Sequence, residues 1–537
     1  MHCRLKRSHF NNFSVWDPTL LHIESAKTRI FFTFISNILR GVFSFLAGLI
    51  VARGLGPNLY GDFIFLIASF AAIRQALNLG TSSAFYTFLS NRPQGLKFLT
   101  FYLIWQLVQF LFPIIIIGLF LPEAMLNQIW LGEERELILL SFMAVFMKEQ
   151  AWTTMVYLGE SNRLTIKVQF SNILIAITHL LIISLLWITH FLSIQLLFVL
   201  IISEYVIACL IAFKFLYVSY PDTEKLDGKA ILKKYYTYCA PLFFSSILGF
   251  IVEFLVRWML QKFGGSEEQA YYGIGFQFVV VSMLLTNAQR SIFWKEIAEA
   301  YKNGNMERVR YIYKKTNRFL YWFGISISCF MIFWAEEIIS ITFGPAYLAG
   351  SNALIFMFIY AGQNSLGMVT GILLLATDKT QSHFIFNVLS AIVGLPLFYF
   401  LLAPKNAIVP GLELGAMGAA MQMVFNQFLN VNLRMFWIDK SNGWKFDWQF
   451  QFVGLGVGLT LAWLAYFVSG SVSDTLSLNT FCNLGLSLII YLVFKSFYLW
   501  NYPSIAGLTR EEIKNFVIDG VKFLRDYRVQ ISNKKFV

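Results

Sequence analysis

Charge is scarce along this chain, and negative charge is scarcest. Only 13% of its 537 residues are Asp, Glu, Lys or Arg, with 30 acidic residues against 42 basic ones. A soluble domain carries about a quarter charged residues, so a soluble enzyme is excluded. Long polar connections are missing as well. The longest gaps on one side of the chain, such as 122–136, are too short to fold a catalytic domain. Cysteine is sparse: Cys3, Cys209, Cys239, Cys329 and Cys482 are scattered, mostly inside apolar stretches, and form no C-x-x-C. They read as small packing residues rather than a disulfide framework. Six histidines show no ligand spacing, so neither a metal site nor a cofactor is expected. There is no G-x-x-x-x-G-K-[ST], hence no expected ATPase within the chain. Gly454, Gly456 and Gly458 do form a G-x-G-x-G, but inside an apolar stretch, where glycines offer a packing surface.

What remains is apolar. Hydrophobic residues make up 57% of the chain and its mean hydropathy is +0.62. Fourteen apolar stretches run from 30–52 to 481–500, each about the ~20 residues a helix needs to cross a bilayer. Most Lys and Arg residues fall before the first stretch, in every second gap and after the last. The intervening gaps hold only Arg53, Arg135, Lys262 and Lys405. By the positive-inside rule both termini are cytoplasmic. The net charge of +12 then faces anionic lipid heads, and the bilayer, not nucleic acid, is the expected partner. The expected architecture is all-α: a polytopic membrane protein of about fourteen spans.

A faint repeat divides the chain. Ile50-Val51-Ala52-Arg53 precedes Tyr60-Gly61, and six stretches later Phe254-Leu255-Val256-Arg257 precedes Tyr272-Gly273. Each following stretch carries a late arginine, Arg74 and Arg290. Six is even, so the halves share one orientation, related by a pseudo-two-fold axis along the membrane normal, and a transporter built this way rocks its two bundles around a central site. This predicts a lead-in over 1–29, one six-helix bundle over 30–217, and a linker over 218–239. A second bundle follows over 240–438, then two extra helices over 439–500 and a tail over 501–537. In the tail, Thr509-Arg510-Glu511-Glu512 has the form of a capping box. Ile513, Phe516, Val517, Val521 and Leu524 fall on one face of the helix it would open, an interfacial amphipathic helix.

Charges inside spans are costly and mark pathways or buried pairs. In the first stretch Thr33, Asn37, Arg40, Gly41, Ser44 and Gly48 follow helical spacing and make one polar, small-residue face. That face points to a cavity, with Arg40 at mid-span. Arg74 in the second stretch, Lys148 in the fourth, and Arg257 and Arg290 further on outnumber Glu149, Glu204 and Glu253. A cationic lumen suits an anionic substrate, and guanidinium groups grip phosphate oxygens two at a time. Glu253 lies four residues before Arg257 on one helix face and is the first candidate for ion coupling. Glu204 is the second, with no basic residue near it in its own stretch. Gln422, Asn426, Asn430 and Arg434 form a ladder that predicts contacts between helices.

The segment from Leu49 to Phe63, Leu-Ile-Val-Ala-Arg-Gly-Leu-Gly-Pro-Asn-Leu-Tyr-Gly-Asp-Phe, resembles the A-R-x-L-G-P-x-x-Y-G-x-F signature of Wzx-type polysaccharide flippases. Its fixed positions here are Arg53, Gly56, Pro57, Tyr60 and Gly61. Asn78-Leu79-Gly80-Thr81-Ser82-Ser83-Ala84 is similar to the D-L-G-L-S-S-A that follows it in that family, matching at Gly80, Ser82 and Ser83. Wzx proteins share one superfamily, MOP, with the lipid II flippase MurJ and the MATE exporters. The resemblance implies a V-shaped pair of six-helix bundles around a cationic cavity. It implies movement of an undecaprenyl-pyrophosphate-linked oligosaccharide across the bacterial cytoplasmic membrane, for surface polysaccharides such as O-antigen and lipopolysaccharide. A polysaccharide polymerase and a chain-length regulator are the implied protein partners. Two features depart from the pattern. Asn78 replaces a common acidic residue, and fourteen stretches exceed the usual Wzx twelve and match MurJ, whose extra pair helps form a lipid-tail groove. The alternatives are a MATE-like ion-coupled exporter, which would favour carboxylates in its lumen, and a membrane polymerase or ligase, which would need larger outward loops.

Overall fold

The structure is a computed structural model describing residues 26–91, 94–218, 228–477, 479–515 and 518. The side chains of 26–28, 30, 31, 230, 282 and 284–292 lie outside the description. So do the lead-in up to residue 25 and most of the expected tail helix, including Phe516, Val517, Val521 and Leu524. The described chain is helical, without a strand among the described residues.

The longest helix of the first half, α1 (Ala26–Asn78), is two arms joined at Gly56, whose backbone (φ 75, ψ 170) leaves the helical region. Those angles are open in practice to glycine alone. Pro57 follows, where a helix's first turn tolerates a missing N–H. The second half repeats the device. Helix α9 (Gly228–Lys302) breaks at Gly265 (φ 80, ψ −176). α1 packs along α9 more extensively than any other pair of helices. Around α1 stand α2 (Thr81–Asn91), α3 (Leu96–Ile115), α4 (Glu123–Ile129), α5 (Arg135–Val145), α6 (Trp152–Ser161), α7 (Thr165–Ile188) and α8 (Ile194–Leu216). Around α9 stand α10 (Met306–Ile332), α11 (Ala335–Thr342), α12 (Ser351–Ala376), α13 (Thr380–Leu402) and α14 (Gly415–Ser441). Helices α15 (Gln449–Leu476) and α16 (Thr480–Asn501) close the chain. They pack on the back of α10, where Gly454 meets Tyr321 and Gly458 meets Cys329. Tyr491 Oη also donates to the Ser326 carbonyl at 2.8 Å.

All fourteen stretches fall in helical segments, the ninth turning at Phe333 and Trp334 between α10 and α11. Length and apolarity mark fewer crossings. Among the described residues nine helices qualify, or ten if α10 and α11, bent by 77°, are one span. Three physical reasons lower the count. α1 and α9 each contain two stretches. The polar run Lys148-Glu149-Gln150 lowers the apolarity of the fourth stretch, where a π-helical turn, Phe146–Ala151, joins α5 to α6. The polar ladder along α14 keeps that helix off the apolar set. Leu119, Phe120, Leu185, Ile188, Phe191 and Phe497 are among many large apolar side chains left exposed, as expected of a surface that faces lipid. This is a multi-pass membrane protein.

Candidate substrate cavity

The first arm of α1 presents its small, polar face inward. Asn37, Arg40 and Ser44 line a cavity of about 400 Å³ together with Arg257, Phe276 and Gln277 of α9. One arginine therefore comes from each half. Arg40 donates to Asn37 Oδ1 at 3.3 Å and its side chain is otherwise open to the cavity. Arg257 lies over the rings of Tyr272 (4.6 Å) and Phe276 (5.7 Å). Its Nη1 is buried without a hydrogen-bond partner. Among the described residues no carboxylate stands within ion-pairing distance of either guanidinium. The expected i,i+4 pair of Glu253 and Arg257 is thus open, because the aromatic platform draws the guanidinium away.

The other candidate residues are placed differently. Arg74 does not line this cavity. Its Nε donates to Glu149 Oε2 at 2.9 Å and its Nη1 to Gln150 Oε1 at 3.4 Å. The π-helical turn in α5–α6 puts Glu149 within that reach and leaves the adjacent Lys148 exposed and away from the cavity. Arg290 lies among the side chains outside the description. Glu253 lines a second cavity, of about 300 Å³, with Gln75, Asn387, Ser390, Gln422 and Asn426. It stands within electrostatic reach of Arg257, Glu149 and Arg74. Glu204 has a partner that its own helix did not reveal: His179 Nδ1 of α7, at 2.7 Å. That carboxylate is 8% exposed, and its second oxygen is buried without a partner. The ladder on α14 ties that helix to α13. Gln422 Nε2 donates to the Gly394 carbonyl at 3.1 Å, Ser390 Oγ to Asn426 Oδ1 at 3.0 Å, and Arg434 Nη2 to Asn387 Oδ1 at 2.6 Å.

The glycine and tyrosine signature lies beside the cavity rather than in it. It builds the joint where the halves meet. A Cβ on Gly61 would come within 1.8 Å of the Ser266 carbonyl oxygen, so the two backbones touch there. Arg53 donates to the Ile341 carbonyl, Gln277 to Tyr60 Oη, and Tyr347 Oη to the Ala52 carbonyl at 2.6 Å. Asp62, which the sequence reading passed over, accepts from Ser266 Oγ and from Gln261 Nε2 at 2.9 Å. Asn58 Nδ2 donates to Glu267 Oε1 at 3.2 Å. The hydrogen bonds that join the halves cluster at this Gly56 end. At the opposite end of α1, Gly80 (φ 80) turns the chain into α2. Ser82 Oγ there meets Tyr102 Oη at 3.0 Å and accepts from Gln150 Nε2 at 3.1 Å, while the Ser83 carbonyl accepts from Thr87 Oγ1 at 2.8 Å.

The chain is similar in structure to the lipid II flippase MurJ in an inward closed conformation, with a TM-score of 0.64 and 17% identity over 89% of this chain and 99% of that one. It is also similar to an inward-facing multidrug resistance MATE family transporter of the MOP superfamily, with a TM-score of 0.58 and 14% identity over 77% and 99%. At these identities the likeness is one of fold, and the fold is that of membrane transporters. In sequence, 236 residues are 25% identical to the capsular polysaccharide biosynthesis protein CapF of Staphylococcus aureus, covering 42% of this chain and 56% of that protein. The chain thus spans about half the length of the curated relative it matches. No protein-family model matches it.

Proposed function

We propose that this protein flips an undecaprenyl-pyrophosphate-linked oligosaccharide across the bacterial cytoplasmic membrane for surface polysaccharide synthesis. The observation that carries the reading is the pair Arg40 and Arg257, one from each half, converging without a carboxylate on one cavity. A pyrophosphate presents oxygens on two phosphorus atoms, and two planar guanidinium forks can hold it from opposite sides. Rocking of the halves would then carry the phosphates from one leaflet to the other while the lipid tail stays in the bilayer. The likeness to a lipid flippase fold and to a capsule-synthesis protein supports the same substrate class. An exporter of organic cations would need a carboxylate where Arg40 and Arg257 stand.

In this reading both termini are cytoplasmic and the Gly56 end faces outward, shut in this structure. The bundles divide within 218–239, whose later part, from Gly228, opens α9. A downstream polymerase and a chain-length regulator would draw product away. Glu253 and Glu204 are the coupling candidates. A proton on Glu253 would raise the positive field near Arg257, so proton and substrate binding would favour each other reciprocally.

The test is Arg40→Ala and Arg40→Lys, each assayed for flipping in proteoliposomes. Alanine is expected to cut the rate by at least ~10-fold, and lysine to restore part of it, since the charge returns without the fork. Full activity in Arg40→Ala overturns the reading.

A further inference from the structure

The second cavity is lined by no lysine or arginine, yet it adjoins the arginine cavity along two helices. On α9, Glu253 faces one cavity and Arg257 the other, one turn apart. On α1, Ala68 lines the arginine cavity and Gln75 the second, seven residues further on, about 10 Å along a helix. The sugar of a pyrophosphate-linked oligosaccharide is bonded directly to the distal phosphate, so its first rings fall within such a span.

The lining of this cavity is specific. It presents one carboxylate, Glu253, the amides of Gln75, Asn387, Gln422 and Asn426, and the ring of Phe384. Several polar ends are uncommitted. Gln422 spends its Nε2 on the Gly394 carbonyl, and Asn426 spends its Oδ1 on Ser390. That leaves the Gln422 carbonyl oxygen as acceptor and the Asn426 amide nitrogen as donor. Two glycines open the room for these groups. A Cβ at Gly249 would come within 2.1 Å of Gln75 Nε2, and one at Gly394 within 2.9 Å of Gln422 Nε2. A carboxylate accepts from two neighbouring hydroxyls, amides donate and accept beside it, and an aromatic face packs on C–H groups. That combination recognises a neutral polyhydroxylated ring.

We infer that the Gln75–Glu253–Asn426 cavity is a sugar subsite, holding the first rings of the oligosaccharide while Arg40 and Arg257 hold the pyrophosphate. The inference rests on the flippase reading above and adds to it the part of the protein that senses the headgroup.

The experiment measures affinity of the purified full chain in nanodiscs for two probes, undecaprenyl pyrophosphate and undecaprenyl-pyrophosphoryl-N-acetylglucosamine. The wild type is expected to bind the sugar-bearing lipid roughly tenfold more tightly, the worth of one or two hydrogen bonds. Gln75→Leu and Asn426→Leu should each reduce that preference and leave affinity for the bare lipid unchanged, which also certifies the fold. Gln75→Asn should keep part of it. A wild type without preference overturns the subsite and leaves the flippase reading standing. Failure of both lipids to bind sinks the flippase reading itself. Tightening by a monovalent cation, erased by Gln75→Leu and without any sugar preference, assigns the cavity to an ion and also overturns the proposal.

Discussion

Glu133 shows what one side chain can contribute to the joint between the halves. It lies in the loop between α4 and α5, outside the spans, where burial first and then the nearby Asp62 and Glu134 push its carboxyl up to about 7. A raised carboxyl keeps its proton in the closed form. The closed form is therefore favoured below the ordinary carboxylate range, and the advantage is lost as pH rises through about 7. Spin labels on the exposed Met125 and Leu348 should report a larger separation at about pH 8 than at about pH 6. Glu133→Gln, which cannot ionise, should hold the short distance at both. A pH response that survives Glu133→Gln would acquit this residue. Single residues also show what the sequence disclosed. Arg40 was readable because helical spacing put it with Asn37 and Ser44 on one face. The capture of Arg74 by Glu149, and of Glu204 by His179, was not readable. Each pair joins side chains on different helices, and spacing within one helix carries no news of its neighbour.

Among elements, the two broken helices decide the architecture. Their glycines serve two physical needs. Gly56 and Gly265 have nothing within 4 Å of a would-be Cβ, so backbone angle alone demands glycine there. Gly56→Ala should cost about 1–3 kcal/mol, read as a lower melting temperature in detergent. Gly61 is a matter of space, because a methyl group would strike the Ser266 carbonyl. Gly61→Ala should leave each half folded, lengthen the Met125–Leu348 distance and slow transport. Unchanged distance and rate would show that the contact yields freely. The apolar stretches gave the helices and the gaps in which α1 and α9 break, but not the backbone angles of those breaks or the π-helical turn. A run of apolar residues specifies burial in lipid, not the angle at which a helix bends. The capping box did appear as read. Thr509 N donates to Glu512 Oε2 at 3.0 Å and Glu512 N donates to Thr509 Oγ1 at 3.2 Å. Lys315 of α10 also grips Glu512, a tie between distant segments that no local pattern could foretell.

For the whole molecule, the proposed flipping requires the halves to part at the Gly56 end. Asp62→Cys with Ser266→Cys places two thiols where a hydrogen bond now joins the halves. Oxidation should stop flipping and a reductant should restore it. Transport that continues when cross-linking is complete would show that this end never opens. Topology is checked by cysteines at Glu134 and at the exposed Asn303. A membrane-impermeant reagent applied to intact cells should label the first and spare the second.

The bonds of this joint differ in kind from those at the other end. There, ion pairs within the second half tie α10 to the segments that follow it, Arg318 to Asp447 at 2.6 Å and Lys315 to Glu512. At the Gly56 end, the bonds joining the halves link amides, hydroxyls and carbonyls, with at most one charged partner in each. Dissolved ions screen attraction between opposite charges and hardly touch a hydroxyl bound to a carbonyl. Salinity inside a cell is regulated, whereas outside it follows the weather. A protein built in this way would keep its outer door equally shut in rainwater and in brine.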